Sequence, residues 1–111
     1  MIEIVVREYL TKNLSVPVYM EEPEEIPEKY VILEKVGGGK SNGLKSATMT
    51  LQSYGSSLAD AAMLNEEVKE AMEDIDDQEP ISRAKLNSDY NFTDTETKRY
   101  RYQAVYDFIY Y

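Results

Sequence analysis

From Tyr100 to Tyr110 the residues Tyr100, Tyr102, Ala104, Tyr106, Phe108 and Tyr110 share one face of an extended chain, while Arg101, Gln103 and Asp107 lie on the other. A period of two predicts a half-buried strand. So much apolar area does not suit a frayed tail. Tyrosine buries a large ring yet keeps a polar tip, so 10 Tyr against 2 Phe predict some phenols at surfaces that become covered on assembly. The simpler reading of any single ring is core packing.

Upstream, Ile2, Val5, Val6, Tyr9, Leu10 and Leu14 recur at three- and four-residue spacing and predict an amphipathic helix over 2–14. The β-branched run Ile4-Val5-Val6 makes a strand the competing reading. Asn13 and the Val16-Pro17 step end the helix. Val16 to Met20 reads as a short strand that Pro17 confines to an edge or to its first residues. Glu21 to Lys29, with Pro23 and Pro27, reads as an acidic loop. Tyr30 to Val36 is a strand, apolar on both faces in its first half and therefore central. Gly37 to Gly43 reads as flexible. Residues 45–54 alternate, with Ala47, Met49 and Leu51 inward and Thr48, Thr50 and Gln52 outward.

Ser57 is an expected N-cap with Asp60 at N3. The following helix carries Leu58, Ala61, Leu64, Val68, Met72 and Ile75 on one stripe, opposite Glu66, Glu67, Lys69, Glu70 and Glu73. Asp76 to Pro80 is an acidic turn. Residues 82–92 form a strand expected to place Ala84, Leu86, Tyr90 and Phe92 on one face. Thr93 to Lys98 is a polar, mobile connection to the last strand. The order helix, strand, strand, strand, helix, strand, strand predicts one α+β domain over 1–111. It would be a mostly antiparallel sheet of about five strands with two helices on one face.

Composition narrows the chemistry. With no Cys and no His, the chain lacks disulfides, thiolate ligands and the commonest general base and metal ligand. A formal charge of −9, from 21 acidic and 12 basic residues, disfavours holding a phosphate backbone. No apolar run is long enough to cross a membrane and no signal-peptide pattern opens the chain, so neither export nor a membrane partner is expected. Acid collects at Glu21, Glu22, Glu24, Glu25 and Glu28 and again from Glu73 to Glu79. Each run taken alone is a solvated loop, although a surface that lets DNA slide past would look the same.

Gly39-Lys40-Ser41 after a strand invites a phosphate-loop reading. That motif needs a glycine where Glu34 stands and a helix where Asn42-Gly43 and an alternating strand follow. The acidic residues lack the apolar surroundings that tune catalytic carboxylates, and Pro23 and Pro27 interrupt any calcium-loop spacing. Ser53, Ser56 and Ser57 have no histidine to activate them. The expectation is no enzyme, no metal and no cofactor.

The succession of elements resembles the small tail-terminator (tail-completion, or neck) proteins of long-tailed bacteriophages and prophages. The likeness lies in the amphipathic first helix, Val16-Pro17-Val18-Tyr19, the acidic Pro-containing loop before Pro27-Glu28-Lys29-Tyr30-Val31-Ile32-Leu33, and a Gly-rich gap. It continues through a strand ending at Tyr54-Gly55, a helix opening with Ala59, Ala61 and Ala62, and a closing aromatic hairpin. The resemblance implies a structural protein of the virion neck that assembles in the host cytoplasm. It would form a homo-oligomeric ring, commonly a hexamer, though possible as a free monomer. That ring ends tail-tube polymerisation, meets the head connector and lets DNA through its lumen. Its partners are itself, the tube protein and the connector protein.

On this reading, loops at Gly37–Lys45 and Thr93–Arg99 project from the sheet ends. Gly38, Gly39, Lys40, Asn42, Lys45, Lys98, Arg99, Arg101 and Tyr110 are the expected interface residues. Glu21, Glu22, Glu24 and Glu25 are expected to line the lumen or a rim. The alternatives are another head-tail connector, head-closure or tube-like component, and a small acidic protein-binding regulatory module.

Overall fold

Ile2, Val6 and Leu10, each four residues apart, are the buried positions of helix α1, Ile2–Asn13. Val5 and Tyr9 pack against the same core, and only a helix brings this mixed three- and four-residue spacing onto one stripe, so the β-branched run does not divert the segment into a strand. The computed structural model describes residues 1–111. Five strands follow around a second helix: β1 Val18–Tyr19, β2 Tyr30–Ser41, β3 Leu44–Gly55, α2 Leu58–Met72, a short 3-10 turn Ile75–Asp77, β4 Ile81–Asn91 and β5 Tyr100–Tyr110. This is the α+β order that the periodicities predict.

The sheet runs β1-β2-β3-β5-β4. Its centre is β3, antiparallel to β2 on one side and to β5 on the other. The β3–β5 register holds without interruption from Lys45–Tyr110 to Gly55–Tyr100. Met49 and Leu51 of β3 and Ala104, Tyr106 and Phe108 of β5 face both helices, in one buried cluster with Val6, Leu10, Leu64, Val68 and Met72. Each of the larger side chains among them contributes about 1.5–3 kcal/mol on burial. Two polar contacts fix the helices. Tyr9 Oη donates to the Ala71 carbonyl at 2.7 Å, capping one of the last carbonyls of α2. Ser57 Oγ accepts from Asp60 N at 3.1 Å, the expected N-cap. At the corner between β3 and α2 a Cβ on Gly55 would stand 2.6 Å from Ala61 N, so only glycine lets the helix start so close to the strand.

Strand β1 lies at the sheet edge as expected and pairs with β2 in parallel, Val18 opposite Val31, the loop between them being long enough to carry the chain back across the edge. Other expectations are corrected. Thr50 points away from the helices as expected but is buried there, since Tyr30, Ile32, Tyr54 and Gln103 cover that face in part. Leu58, expected in the buried stripe, is exposed at the first turn of α2; Asn65 takes an interior position instead.

Strand β4 does not keep its four apolar residues on one face. A bulge between Leu86 and Ser88 adds one residue, and a one-residue slip exchanges the faces. Ala84 and Leu86 therefore pair with Phe108 and Tyr106 on the helix side, whereas Tyr90 lies beside Gln103 on the far side. The same slip turns Asp89 toward α2. There one carboxylate oxygen accepts from Asn65 Nδ2 at 2.8 Å and from Lys69 Nζ at 2.9 Å.

The Lys69 hydrogen bond holds the Asp89 carboxyl below its usual range, with Asn65 adding to it against the effect of burial. Asp89→Asn is expected to lower stability by about 1–2 kcal/mol at neutral pH, read from the urea midpoint. A carboxyl depressed in the folded state stabilises above its unfolded value, and that contribution disappears as pH falls through the folded-state value. The variant should accordingly lose stability less steeply than the wild type on acidification.

Candidate functional site

The Gly-rich segment expected to be a flexible loop is a hairpin arm. Strand β2 continues through Gly37, Gly38 and Gly39 to Ser41, and these residues pair with β3 down to Ser41 opposite Leu44. Asn42 and Gly43 close the turn with φ of 52° and 82°. Two successive residues in the left-handed region make the tight hairpin that Asn-Gly favours, because its twist matches that of the strands. Three side-chain-free residues carry no periodicity, which hid the strand; the Asn42-Gly43 pair was the available signal. Every residue from Glu34 to Ser46 is exposed. Strand β1 covers β2 only at Val31 and Ile32, so the outer edge of the arm has no neighbouring strand.

Of the expected interface residues, Gly38, Gly39, Lys40, Asn42 and Lys45 all belong to this arm. The Lys45 ammonium lies 5.8 Å from the centre of the Tyr110 ring at the arm's base. The Lys35-to-Ser46 stretch contains three lysines and no acidic residue, on a chain whose net charge is −9.

Lys98, Arg99 and Arg101 lie at the far end of the sheet from the Asn42 turn. Here the face away from the helices carries a tyrosine–arginine cluster. The Tyr30 and Tyr54 rings stack with centroids 4.5 Å apart, and Tyr19 meets Tyr30 edge-on at 6.1 Å. The Arg99 guanidinium sits 5.0 Å from the Tyr54 centroid, donates to the Tyr30 hydroxyl and pairs with Glu22 at 2.5 Å. Arg101 donates to Tyr54 Oη at 3.0 Å and to the Phe92 carbonyl at 2.7 Å, with its guanidinium 4.5 Å from the Phe92 ring.

Burial raises the Tyr30 phenol above its ordinary value although Arg99 opposes the shift. Burial is the largest single influence on Arg99 and works against its charge, but the contacts with Glu22 and Tyr30 together outweigh it and the net shift is upward. The arrangement is thus a neutral phenol beside a fixed cation. Arg99 and Glu22, expected at separate surfaces, are joined here, so the acidic loop is anchored at Glu22 while Glu21, Glu24 and Glu25 stay exposed. The aromatic members Tyr19, Tyr30, Tyr54 and Phe92 were absent from the expected set. The opposition of Tyr54 and Arg101 across β3 and β5 becomes visible only with the register.

The Thr93–Lys98 connection, expected to be mobile, has a defined local structure. Asp94 Oδ1 accepts from Glu96 N at 3.0 Å and Thr97 N at 3.4 Å, and Asp94 bridges to Arg99. Those backbone bonds keep the Asp94 carboxyl below its usual range.

A third feature lies on the helix side. Between α2 and β4 runs an open groove of about 640 Å³ with Leu86, Met72 and Tyr106 among its apolar lining and Glu66, Glu70 and Glu73 along the helix. Burial pushes the Tyr106 phenol up to about 12, so its hydroxyl is uncharged at neutral pH. Lys69 is bound to Glu66 and Asp89, which leaves Glu70 and Glu73 without cationic partners. No three acidic side chains converge to hold a metal ion, and no helix is long and apolar enough to cross a membrane.

No protein-family model matches the chain, nor does any curated protein.

Arg99→Ala is expected to release the acidic loop. Cleavage after Glu21 to Glu25 by a Glu-specific protease should accelerate about tenfold under native conditions. The global unfolding free energy should fall by no more than about 1 kcal/mol, since the pair is partly solvated.

Proposed function

We propose that this chain is an assembly protein of a tailed phage or prophage particle. In this reading it caps the tail tube, ends tube polymerisation and offers the head connector a joining surface. The observation that carries the proposal is the arm: a paired hairpin, exposed along its whole length, that displays Val36 at 55% and Leu44 at 38% exposure. Apolar side chains held out on ordered backbone lose little entropy on contact and suit a protein partner. The element order from α1 to β5 is also the succession on which the likeness to tail terminators rests.

The mechanism is competition by shape. A ring closes through a heterologous contact between copies. One rim reproduces the stacking surface of the tube, so the ring binds the growing end. The other rim does not, and no further tube subunit adds. The exposed carboxylates of Glu21, Glu24 and Glu25 would face the lumen or its rim and repel the phosphate backbone of passing DNA. The protein works in the virion neck after assembly in the host cytoplasm, without a cofactor and without transforming a substrate.

The test is tube length. Adding this protein at substoichiometric amounts to polymerising tube protein should shorten the tubes seen by electron microscopy and place it at one tip. An unchanged length distribution would contradict the proposal. A stoichiometric complex with a soluble regulator and no effect on tubes would favour a regulatory module instead.

A further inference from the structure

We infer that the β2–β3 arm of one copy docks in the α2–β4 groove of a second copy of this chain, head to tail. The inference rests on the assembly reading above and specifies the contact between copies.

Charge selects the occupant. The arm from Lys35 to Ser46 holds a quarter of the chain's 12 basic residues and none of its 21 acidic ones. The groove presents Glu70 and Glu73 on the exposed side of α2, with the only lysine of its lining already engaged by Glu66 and Asp89. An acidic protein generally repels its own copies. Here the one strongly basic projection and an unpaired acidic wall give two copies an attractive orientation. Lys40 and Lys45, opposite one another across the arm, supply the cations.

Apolar surface adds to this. The arm brings Val36 and Leu44, and the groove offers Leu86 at 37% exposure above Tyr106 and Met72. Oppositely charged rims around apolar contacts are the usual anatomy of a specific interface.

Geometry makes the contact intermolecular. The arm extends β2 and β3, whereas the groove lies beyond β5 along β4, at the opposite edge of the sheet. The arm is fixed by strand pairing to β3 down to its turn, so it points away from its own groove. Each copy therefore offers one donor arm and one acceptor groove, which is a heterologous contact. Repeated with closure, it gives a ring.

Charge exchange tests the docking. Wild-type protein should associate in a concentration-dependent and salt-sensitive way by sedimentation velocity. Lys40→Glu with Lys45→Glu should weaken that association by more than about tenfold, as should Glu70→Lys with Glu73→Lys, because like charges then face each other. Mixing the two reversed proteins should restore assembly, since every arm then meets a groove of opposite sign.

The chain has no cysteine, which permits a second readout independent of the reversals. Ser41→Cys chains mixed with Glu70→Cys chains should give a disulfide-linked dimer on mild oxidation, while neither should cross-link to itself at a comparable rate. A wild-type protein that stays monomeric up to its solubility limit would overturn the inference. So would assembly indifferent to both reversals, or cross-linking between Ser41→Cys chains alone. Assembly that responds as expected but leaves tube length unchanged would refute only the terminator reading.

Discussion

The uninterrupted pairing of β3 with β5 is the constraint on which the rest of the molecule depends. It sets the side chains of both strands into alternating faces and so decides what the helices can cover. Met49, Leu51, Ala104, Tyr106 and Phe108 turn to α1 and α2, and their burial repays the ordering of two long strands distant in sequence. The same pairing runs out to Lys45 and Tyr110. The base of the arm is therefore an extension of the best-supported part of the sheet. Rigidity at the core and exposure at the tip have one cause.

The two faces of that pairing divide the work. The helix side holds one continuous apolar cluster, interrupted by the buried Ser53 hydroxyl and by the contact of Asn65 and Lys69 with Asp89. The opposite side is only partly covered, by stacked tyrosines that Arg99 and Arg101 bind through both charge and ring contact. Arginine suits this place because its planar cation can lie against a ring while its N–H groups reach oxygen acceptors. By holding Glu22, Arg99 also decides where the acidic loop leaves the sheet. An excess of negative charge is thus positioned at one end of the sheet, and the lysines of the arm stand at the other.

Much of the fold was legible from periodicity. Four-residue spacing located α1, the Ser57 cap opened α2, and alternation identified the inward residues of β3 and β5. Failures arose where the signal is weak for a physical reason. Glycines carry no pattern, so β2 appeared to stop at Val36. The bulge after Leu86 is one unpaired residue, invisible in composition, yet it sends Tyr90 and Asp89 to the opposite faces from those expected. Sites fared less evenly. Lys40, Asn42 and Lys45 were expected at a projecting element and do occupy one. The union of Glu22 with Arg99, and the groove beside Leu86, needed tertiary register before they could be seen.

In the proposed assembly the molecule is a rigid two-faced sheet that acts through its ends and edges. Hydrogen exchange on dilute and concentrated protein tests this most directly. On concentration, amides of the arm around Gly39 to Lys45 and of α2 and β4 around Glu70 and Leu86 are expected to slow together, while those near Arg99 do not change. Slowing near Arg99 with the arm and groove unaffected would contradict it.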